Sequence, residues 1–336
     1  MLDGQVVVIT GGTGSFGQKF TEIVLERYKP RRLIIFSRDE LKQSQMQERF
    51  NERTHPCIRY FIGDVRDRER LYRAFDDVDY VVHAAALKQV PAAEYNPIEA
   101  VRTNVLGAAN VIDAAIDKNV KRVIALSTDK AANPINLYGA TKLCSDKLFA
   151  AANNYSGKHR TRFSVVRYGN VMGSRGSVIP FFLKMRESGT LPITDPRMTR
   201  FWITLERGVE FVLESLARMK GGEIYVPKIP SMNIMDLAHA IAPECKTTVA
   251  GIRPGEKLHE VMVPEDDARH AIEYKDHFVI LPDFHEWTNE ATEARLNGGE
   301  RCPEGFRYSS DTNTHWLSQE DLRRMIGLAT EQVTRG

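Results

Sequence analysis

A glycine-rich loop directly after the first apolar run restricts the fold more than any other feature. The run at residues 6–10 ends at the segment GGTGSFG, residues 11–17, and a helical pattern follows. Glycines between a buried strand and a helix let the backbone turn tightly and approach a pyrophosphate, which the N–H groups of the helix N-terminus stabilise. The spacing is GxxGxxG, and its place predicts a dinucleotide-binding βαβ unit. The predicted cofactor contacts in this loop are Gly11, Thr13, Gly14, Ser15, Phe16 and Gly17.

Short apolar runs alternate with longer helical patterns over the first half of the chain. Most of the runs are continuously apolar, as in strands that are buried on both faces. Strand–helix repetition indicates right-handed crossovers and a parallel sheet covered by helices. We therefore predict an α/β fold with a doubly wound, Rossmann-like parallel sheet. The predicted strands are residues 6–10, 32–37, 59–63, 80–84, 122–127 and 163–168, and the predicted helices are 17–28, 67–75, 98–118 and 137–152.

The pattern changes after residue 170, where Pro and Gly separate short pieces of chain. We predict a dinucleotide-binding domain at residues 1–170, with a return segment near 203–228, and a smaller C-terminal substrate domain at 171–202 and 229–336. A helix is predicted at 201–220, and residues 265–269 are predicted to be a solvated turn. Charged loops are predicted at 173–177, 191–200 and 252–258. No role is predicted for residues 283–304.

Charge and composition exclude several classes of protein. Lys and Arg total 46 and Asp and Glu total 44, so the net charge of +2 offers no basic surface for nucleic acid. No apolar stretch approaches the ~20 residues that cross a bilayer, and the first one is too short for a signal peptide. We expect a cytoplasmic protein without a membrane or nucleic-acid partner. The four cysteines are far apart, and neither a disulfide framework nor a metal site is predicted.

The residues after the second predicted strand bear on which dinucleotide binds. An acidic residue there would hold the ribose 2′-hydroxyl of NAD, whereas an arginine accommodates the 2′-phosphate of NADP. Here Ser37 and Arg38 stand at the tip and the carboxylates come one step later, so we predict NADP, with NAD as the alternative. Asp64 and Val65, after the third strand, are expected near the adenine. The predicted contacts after the second strand are Ser37, Arg38, Asp39, Glu40, Leu41 and Lys42.

A Tyr-x-x-x-Lys pair follows the strand that ends at Ser127-Thr128. Tyr138 and Lys142 are four residues apart, so on a helix they share one face and can point into one cleft. A cation next to a phenol lowers its pKa. The phenol can then take a hydroxyl proton while hydride leaves for a nicotinamide. Together with the glycine loop, the pair predicts a nicotinamide-dependent enzyme.

Four motifs are shared with a known family: SRDELK at 37–42, HAAALK at 83–88, STDKAANP at 127–134 and MTRFW at 198–202. Through them the chain resembles the inverting UDP-N-acetylglucosamine 4,6-dehydratases of the extended short-chain dehydrogenase/reductase superfamily. Those enzymes open the pseudaminic acid pathway, which supplies the sugar for flagellin glycosylation. The resemblance implies C4 oxidation, elimination of water across C5–C6 and reduction at C6, with an NADP cofactor, in a homo-oligomer.

The resemblance also implies roles for individual residues. Asp129 would be the acid at the C6 hydroxyl and Lys130 the base at C5, and we expect burial to favour a neutral lysine. The two groups are expected to titrate as a coupled pair. The implied catalytic residues are Thr128, Asp129, Lys130, Tyr138 and Lys142. Further implied cofactor contacts are Ala84, Ala85, Ala86, Thr103, Asn104, Tyr138, Lys142 and Val171. The implied substrate contacts are Lys88, Asn170, Ser177, Val178, Arg200 and Arg253.

The Asp129-Lys130 pair separates the alternative functions. C5-retaining dehydratases of the dTDP-glucose type are similar but carry Asp-Glu here, and UDP-sugar 4-epimerases carry no such acid–base pair. A regulatory NADP-sensing protein could keep the glycine loop, but Tyr138 and Lys142 argue against one. His83 and His259 have no partner at metal-ligand spacing and are expected to be packing residues.

Overall fold

Strands and helices alternate along the first half of the chain, as the apolar pattern predicts. The computed structural model describes residues 1–172, 178–282 and 298–334. Its strands are β1 (Val6–Thr10), β2 (Arg32–Ser37), β3 (Ile58–Ile62), β4 (Tyr80–His83), β5 (Arg122–Thr128), β6 (Arg162–Tyr168), β7 (Asn170–Val171), β8 (Thr190–Ile193), β9 (Thr199–Ile203), β10 (Ile224–Pro227), β11 (Ser231–Asn233), β12 (Lys246–Val249), β13 (Val261–Val263), β14 (Ala271–Glu273), β15 (His277–Ile280), β16 (Glu300–Arg301) and β17 (Tyr308–Ser309).

Helices follow most of the strands of the first half, and further helices lie in the second half. The helices of the described residues are α1 (Ser15–Arg27), α2 (Glu40–Arg49), α3 (Arg68–Ala74), α4 (Val90–Tyr95), α5 (Pro97–Val101), α6 (Gly107–Asp117), α7 (Leu137–Tyr155), α8 (Val178–Arg186), α9 (Leu205–Arg218), α10 (Ile234–Ile241), α11 (Glu265–Ala268) and α12 (Gln319–Thr334). A π-helical turn, Arg102–Leu106, joins α5 to α6, and single 3-10 turns lie at Asp129–Ala131 and Gly157–His159.

A ten-stranded sheet forms the main body, in the order β16-β14-β15-β10-β6-β5-β4-β1-β2-β3. The strands from β10 to β3 in this order are mutually parallel, and β15 is antiparallel to β10. The switch in strand order between β1 and β4 is that of a doubly wound dinucleotide-binding sheet, so the predicted fold is confirmed. Ligands bind such sheets at the carboxyl ends of the strands, which places the glycine loop, Ser37 and Thr128 on one side.

Three predicted elements of the second half differ from the structure: the helix at 201–220 begins later, and the turn at 265–269 and the loop at 191–200 contain regular structure. Phe201 and Trp202 lie in β9, and the helix begins only at Leu205, because the hydroxyl of Thr204 accepts a hydrogen bond from the Arg207 backbone N–H (3.2 Å) and starts α9 there. Residues 265–268 form the short helix α11 instead of a solvated turn, and Asp267 accepts a hydrogen bond from the buried Arg167 guanidinium (3.0 Å). The predicted loop at 191–200 contains most of β8 and the start of β9. The predicted loop at 173–177 lies outside the described residues.

A second apolar core lies beside the main one. It packs α8, α10 and α12 against the small sheet β11-β9-β7, around Trp202, Leu237 and Leu322. Because β7 begins two residues after β6 ends, this unit is attached at the carboxyl edge of the main sheet. Strands β14–β16 extend the main sheet although they fall in the range assigned to the smaller domain, and the division into domains stays a prediction. None of the described helices is long and apolar enough to cross a membrane.

Candidate active site

The glycine loop is shaped for close contact with an anionic group. Gly11 has φ +67, and a Cβ at this position would lie 2.9 Å from the Ala85 Cα, while a Cβ at Gly17 would lie 2.2 Å from the Gly12 carbonyl oxygen. Only glycine fits these two positions. Helix α1 begins after Gly14 without a side-chain cap, which leaves the N–H groups of its first turn to a ligand. These features fit the pyrophosphate of a dinucleotide.

Cationic side chains lie directly after the carboxyl end of β2. Thr13 and Ser37 share a hydroxyl–hydroxyl hydrogen bond (2.7 Å) that ties the glycine loop to this strand. The Asp39 carboxylate caps α2 by accepting from the Lys42 backbone N–H (3.0 Å), and it pairs with the Lys42 ammonium (2.6 Å). The Arg38 guanidinium is half exposed and lies 3.5 Å from Asp64. Both cations at this end of β2 thus have a carboxylate neighbour, Asp64 for Arg38 and Asp39 for Lys42, and both are partly exposed to a ligand.

The third strand and the π-helical turn contribute the next predicted cofactor residues. Hydrogen bonds from Arg66 lower the pKa of Asp64 although burial opposes them, and Val65 packs in the main core. The buried Asn104 side chain exchanges hydrogen bonds with the Leu87 backbone (2.8 and 2.9 Å) and donates to the Thr141 hydroxyl (3.0 Å). Asn104 therefore fixes the segment after β4, which contains Ala84–86, against α7. A π-helical turn at this place is typical of a functional site.

Helix α7 presents the Tyr138 and Lys142 pair. Its start is set by Asn136, whose side chain accepts from the Gly139 backbone N–H (2.8 Å). Lys142 is only 3% exposed, and burial lowers its pKa although Asp146, one turn further, opposes this. Burial, together with the nearby Lys142 charge, lowers the pKa of His83 to about 3. The imidazole is therefore neutral, hydrogen-bonded to Thr10 (2.8 Å), and serves as a packing residue as predicted.

Burial dominates the titration of the Tyr138 phenol. It raises the pKa of Tyr138 to about 12, with a contribution from the Asp129 carboxylate, while the Lys130 ammonium and a hydrogen bond with Thr128 lower it. We predicted that Lys142 would be the cation that lowers this pKa; the cation with a marked effect is Lys130. The difference arises because the turn after β5 places Lys130 beside the phenol, which the spacing along α7 does not reveal.

The turn Asp129–Ala131 places an acid–base pair directly after β5. Asp129 is fully buried, and its Oδ1 accepts hydrogen bonds from the Thr128 hydroxyl (2.8 Å) and from the Lys130 ammonium (3.1 Å). The other oxygen, Oδ2, is buried without a hydrogen-bond partner among the described residues. A Cβ at Gly139 would lie 2.2 Å from the Lys130 carbonyl oxygen, so the turn rests directly on α7.

A second carboxylate faces the lysine of this pair. Glu260 Oε1 lies 3.3 Å from Lys130 Nζ and 3.7 Å from Arg200 Nε. Burial alone would lower the pKa of Lys130, but Asp129 and Glu260 outweigh it and the net direction is upward. The expectation that burial makes Lys130 neutral is therefore wrong. No sequence motif indicates that Glu260 belongs to this site, because it follows Asp129 by more than a hundred residues.

A buried ionic network supports the other end of the pair Tyr138 and Lys142. Asp146 accepts from the Ser127 hydroxyl (2.7 Å) and lies 3.5 Å from a nitrogen of Arg167, and both charged side chains are almost fully buried. Burial raises the pKa of Asp146, while Arg167 and Lys142 lower it. Sequence reasoning missed this network, although Asp146 continues the i, i+4 spacing of Tyr138 and Lys142 and could have been found on that ground.

The predicted substrate residues differ in their surroundings. Asn170 accepts a long hydrogen bond from Lys130 (3.5 Å) and so joins the acid–base pair, and its neighbour Val171 pairs with Ile203. Arg200 is 8% exposed and donates to the carbonyls of Thr199, Lys257 and Leu258. A diphosphate would have to compete with those carbonyls.

The other predicted substrate residues lie on the surface or at its edge. Lys88 and Arg253 are exposed, and Val178 is half-buried at the start of α8. Ser177 lies outside the described residues. The substrate contacts stay predictions.

Comparison with known proteins places the chain in a family. The family model described as polysaccharide biosynthesis protein matches residues 7–282. A Campylobacter jejuni subsp. jejuni protein named UDP-N-acetylglucosamine 4,6-dehydratase (inverting) is 56% identical over 332 residues, covering 97% of this chain and 98% of the relative. This chain belongs to the polysaccharide biosynthesis protein family. The resemblance based on the four sequence motifs is thereby confirmed.

Other relatives of this polysaccharide biosynthesis family member include proteins with different names. A Rickettsia massiliae protein named UDP-glucose 4-epimerase is 43% identical over 295 residues, covering 84% of each chain. The X-ray structure of Pen from Bacillus thuringiensis has a TM-score of 0.88 at 37% identity and covers 98% of this chain and 99% of that one. DesIV, a dTDP-glucose 4,6-dehydratase from Streptomyces venezuelae solved with NAD, has a TM-score of 0.70 at 20% identity and covers 98% of both chains, which shows a common fold.

Proposed function

We propose that this protein is a UDP-N-acetylglucosamine 4,6-dehydratase that inverts C5. The product would be UDP-2-acetamido-2,6-dideoxy-β-L-arabino-hex-4-ulose, and the step would open pseudaminic acid synthesis for flagellin glycosylation. The observation that carries the proposal is the Asp129-Lys130 pair, hydrogen-bonded at 3.1 Å and joined to Tyr138 through Thr128. An acid, an amine and a phenol around one point match the groups that oxidation at C4 and elimination across C5–C6 require.

The phenol and the lysine of α7 would handle the first proton. Tyr138, in its phenolate form, would accept the proton of the C4 hydroxyl. The Lys130 ammonium is the cation that favours this phenolate, and the buried Lys142 would orient the cofactor ribose. When bound, a nicotinamide supplies a hydride acceptor at C4 and returns the hydride at C6, so no external reductant is consumed. The hydroxyl of Thr128 contacts both Tyr138 and Asp129 and would fix the positions of these two side chains relative to each other.

Elimination needs the protons of Asp129 and Lys130 in an unusual arrangement. The base at C5 must be a neutral amine and the acid at the C6 hydroxyl a protonated carboxyl. Transfer of one proton from Lys130 Nζ to Asp129 Oδ1 across their hydrogen bond produces both groups at once: an N–H bond breaks, an O–H bond forms, and no proton enters the site. Asp129 then presents a carboxylic acid to the leaving hydroxyl, which departs as water.

The stereochemical outcome tests this assignment. We expect UDP-N-acetylglucosamine to lose one water and, in D₂O, to give a product that carries deuterium at C5 in the L-arabino configuration. The reason is that the C5 carbanion is resonance-stabilised by the 4-keto group and can be reprotonated on the opposite face, next to a flexible amine instead of a fixed carboxylate. NMR of the first product distinguishes the outcomes: a D-xylo product would indicate a retaining dehydratase, and accumulation of reduced cofactor a simple dehydrogenase.

A UDP-sugar 4-epimerase is the second candidate, because a relative of that name is 43% identical. The epimerase reaction uses the glycine loop, Tyr138 and Lys142 but needs no acid–base pair for elimination. Isomerisation of a UDP-sugar without loss of water would favour this candidate. A C5-retaining 4,6-dehydratase is the third, and the NMR experiment above separates it.

We propose NADP as the cofactor, bound by the loop of residues 11–17 and the tip of β2. The supporting observation is that the Asp39 carboxylate caps α2, while Arg38 and Lys42 supply positive charge after the carboxyl end of β2. A 2′-phosphate would therefore meet guanidinium and ammonium groups. The remaining cofactor and substrate residues named above complete this proposal, in a cytoplasmic homo-oligomer.

Replacing Arg38 with alanine is expected to weaken NADP binding by about tenfold or more and NAD binding little, because only NADP carries the phosphate that Arg38 would contact. The dissociation constants can be measured by calorimetry on protein freed of bound nucleotide. The matched control is Arg49→Ala, which removes an exposed guanidinium from the C-terminal end of α2, the helix that follows Arg38. Equal weakening for both nucleotides would contradict the NADP assignment.

A further inference from the structure

Glu260 is a buried carboxylate that the reaction scheme above does not use. It is 2% exposed, and its Oε1 lies between Lys130 Nζ (3.3 Å) and Arg200 Nε (3.7 Å). Its Oε2 is also buried and finds no hydrogen-bond partner in the described part of the chain. A buried carboxylate oxygen without a donor is costly, and native proteins retain such groups mainly where they serve a function.

The backbone holds Glu260 in a fixed place. Its N–H donates to the Ser310 hydroxyl (2.9 Å), and its carbonyl accepts from the Ser310 backbone N–H (2.8 Å). It stands immediately before β13, whose partner strand is β17. The chain therefore anchors this residue from the second half of the sequence and directs its side chain at the lysine that follows β5.

Charged groups from several elements surround this carboxylate. Asp129 and Lys130 come from the turn after β5, and Arg200 comes from β9. The same segment as Glu260 contributes Glu256, which lies 3.8 Å from Arg200, and Lys257, whose ammonium donates to the Ala132 carbonyl (2.6 Å). The charge of Arg167, from β6, acts on Lys257, and the charge of Lys130 acts on the Tyr138 phenol of α7. Lys130 is the ammonium that Glu260 contacts directly, and it has two carboxylate partners.

We propose that Glu260 is a positioning residue that acts through Lys130: its carboxylate holds the amine against Asp129 and sets the pH range in which this pair carries a single proton. This inference rests on the proposed function, in which the singly protonated pair is the active form. Asp129 and Lys130 lose their protons in two coupled steps, and activity exists between the two. A fixed negative charge beside the pair favours proton binding in both steps and so moves the active window to higher pH.

Replacing Glu260 with glutamine removes this charge while keeping the shape of the side chain. We expect both limbs of the pH profile of kcat/KM to move to lower pH by about one unit or more, because unit charges this close interact strongly in a partly buried site. Glu260→Asp withdraws the carboxylate by one methylene and is expected to give a smaller shift in the same direction. Glu256→Gln is the matched control: it removes a neighbouring carboxylate whose ion pair is with Arg200, and its profile should stay in place.

A second measurement needs no turnover. The Lys130 side-chain resonance, assigned by its loss in Lys130→Arg, should titrate at lower pH in Glu260→Gln than in the wild-type protein. If the wild-type protein does not dehydrate UDP-N-acetylglucosamine but this titration shifts, the proposed function fails and the coupling of Glu260 to Lys130 stands. If the pH profile and the Lys130 titration stay unmoved in both Glu260 variants, the inference is overturned. Should Glu260→Gln fail to fold, Glu260→Asp decides by the same two readouts.

Discussion

Replacing Lys130 with arginine is expected to lower the dehydration rate by about 10²–10⁴-fold while cofactor binding stays intact. Arginine keeps a positive charge near Asp129 and Glu260, so the buried carboxylates remain paired. A guanidinium cannot give up its proton at accessible pH and so cannot serve as the base at C5. Single-turnover measurements should still show reduction of bound cofactor by C4 oxidation, because that step uses Tyr138 and Lys142.

Lys130→Ala provides the comparison. It removes the base and also leaves two buried carboxylates without their ammonium, so it should lower the free energy of unfolding by about 3 kcal/mol or more in addition to stopping elimination. Denaturant unfolding measures the first effect and product mass the second. If Lys130→Arg eliminated water at near the wild-type rate, the base at C5 would have to be another group.

Replacing Tyr138 with phenylalanine is expected to reduce turnover by about 10²–10⁴-fold and to block the reaction before any hydride moves. The phenol is the group that would take the C4 hydroxyl proton, and its hydrogen bond with Thr128 holds it next to Asp129. Because both this variant and Lys130→Arg would lack the final product, the distinguishing readout is the cofactor: it should stay oxidised in Tyr138→Phe and become reduced in Lys130→Arg.

The control for the phenol is Tyr225→Phe, which removes a hydroxyl from a buried tyrosine on β10 of the main sheet. Its turnover should stay within about threefold of the wild-type rate, since general acid–base effects of this size need direct contact with the transferred proton. Near-normal turnover in Tyr138→Phe would make the phenol structural and would remove the basis for the first oxidation step.

The parallel sheet was predictable because its strands are continuous apolar runs and the glycine loop fixes the first βαβ unit. The strand β1, Val6–Thr10, and the strand β2, Arg32–Ser37, have the predicted bounds. The helix predicted at 98–118 is interrupted by the π-helical turn Arg102–Leu106, which apolar periodicity does not distinguish from α-helix.

The charge environment of the site was less predictable, because it depends on contacts between residues far apart in the chain. Spacing along α7 identified Tyr138 and Lys142, but the partners that control titration come from elsewhere. Glu260, which directly precedes β13, adds to Asp129 in raising the pKa of Lys130, and Arg167 reaches Asp146 from β6. Burial alone predicted a neutral Lys130, and the two carboxylates reverse that sign. Sequence motifs thus pointed to the candidate reacting groups, whereas the protonation of these groups depends on tertiary contacts.

The contact between Gly139 and the Lys130 carbonyl oxygen bears on how one scaffold can serve several reactions. The approach is made by backbone alone, since a Cβ at Gly139 would lie 2.2 Å from that oxygen. This contact between the turn and α7 therefore does not depend on which side chains stand at 129 and 130. Substitutions at 129 and 130 can exchange one set of proton donors and acceptors for another without displacing the tyrosine. We therefore expect that proteins with this scaffold can differ in reaction through substitutions at these two positions, while Tyr138 and Lys142 keep their places on α7.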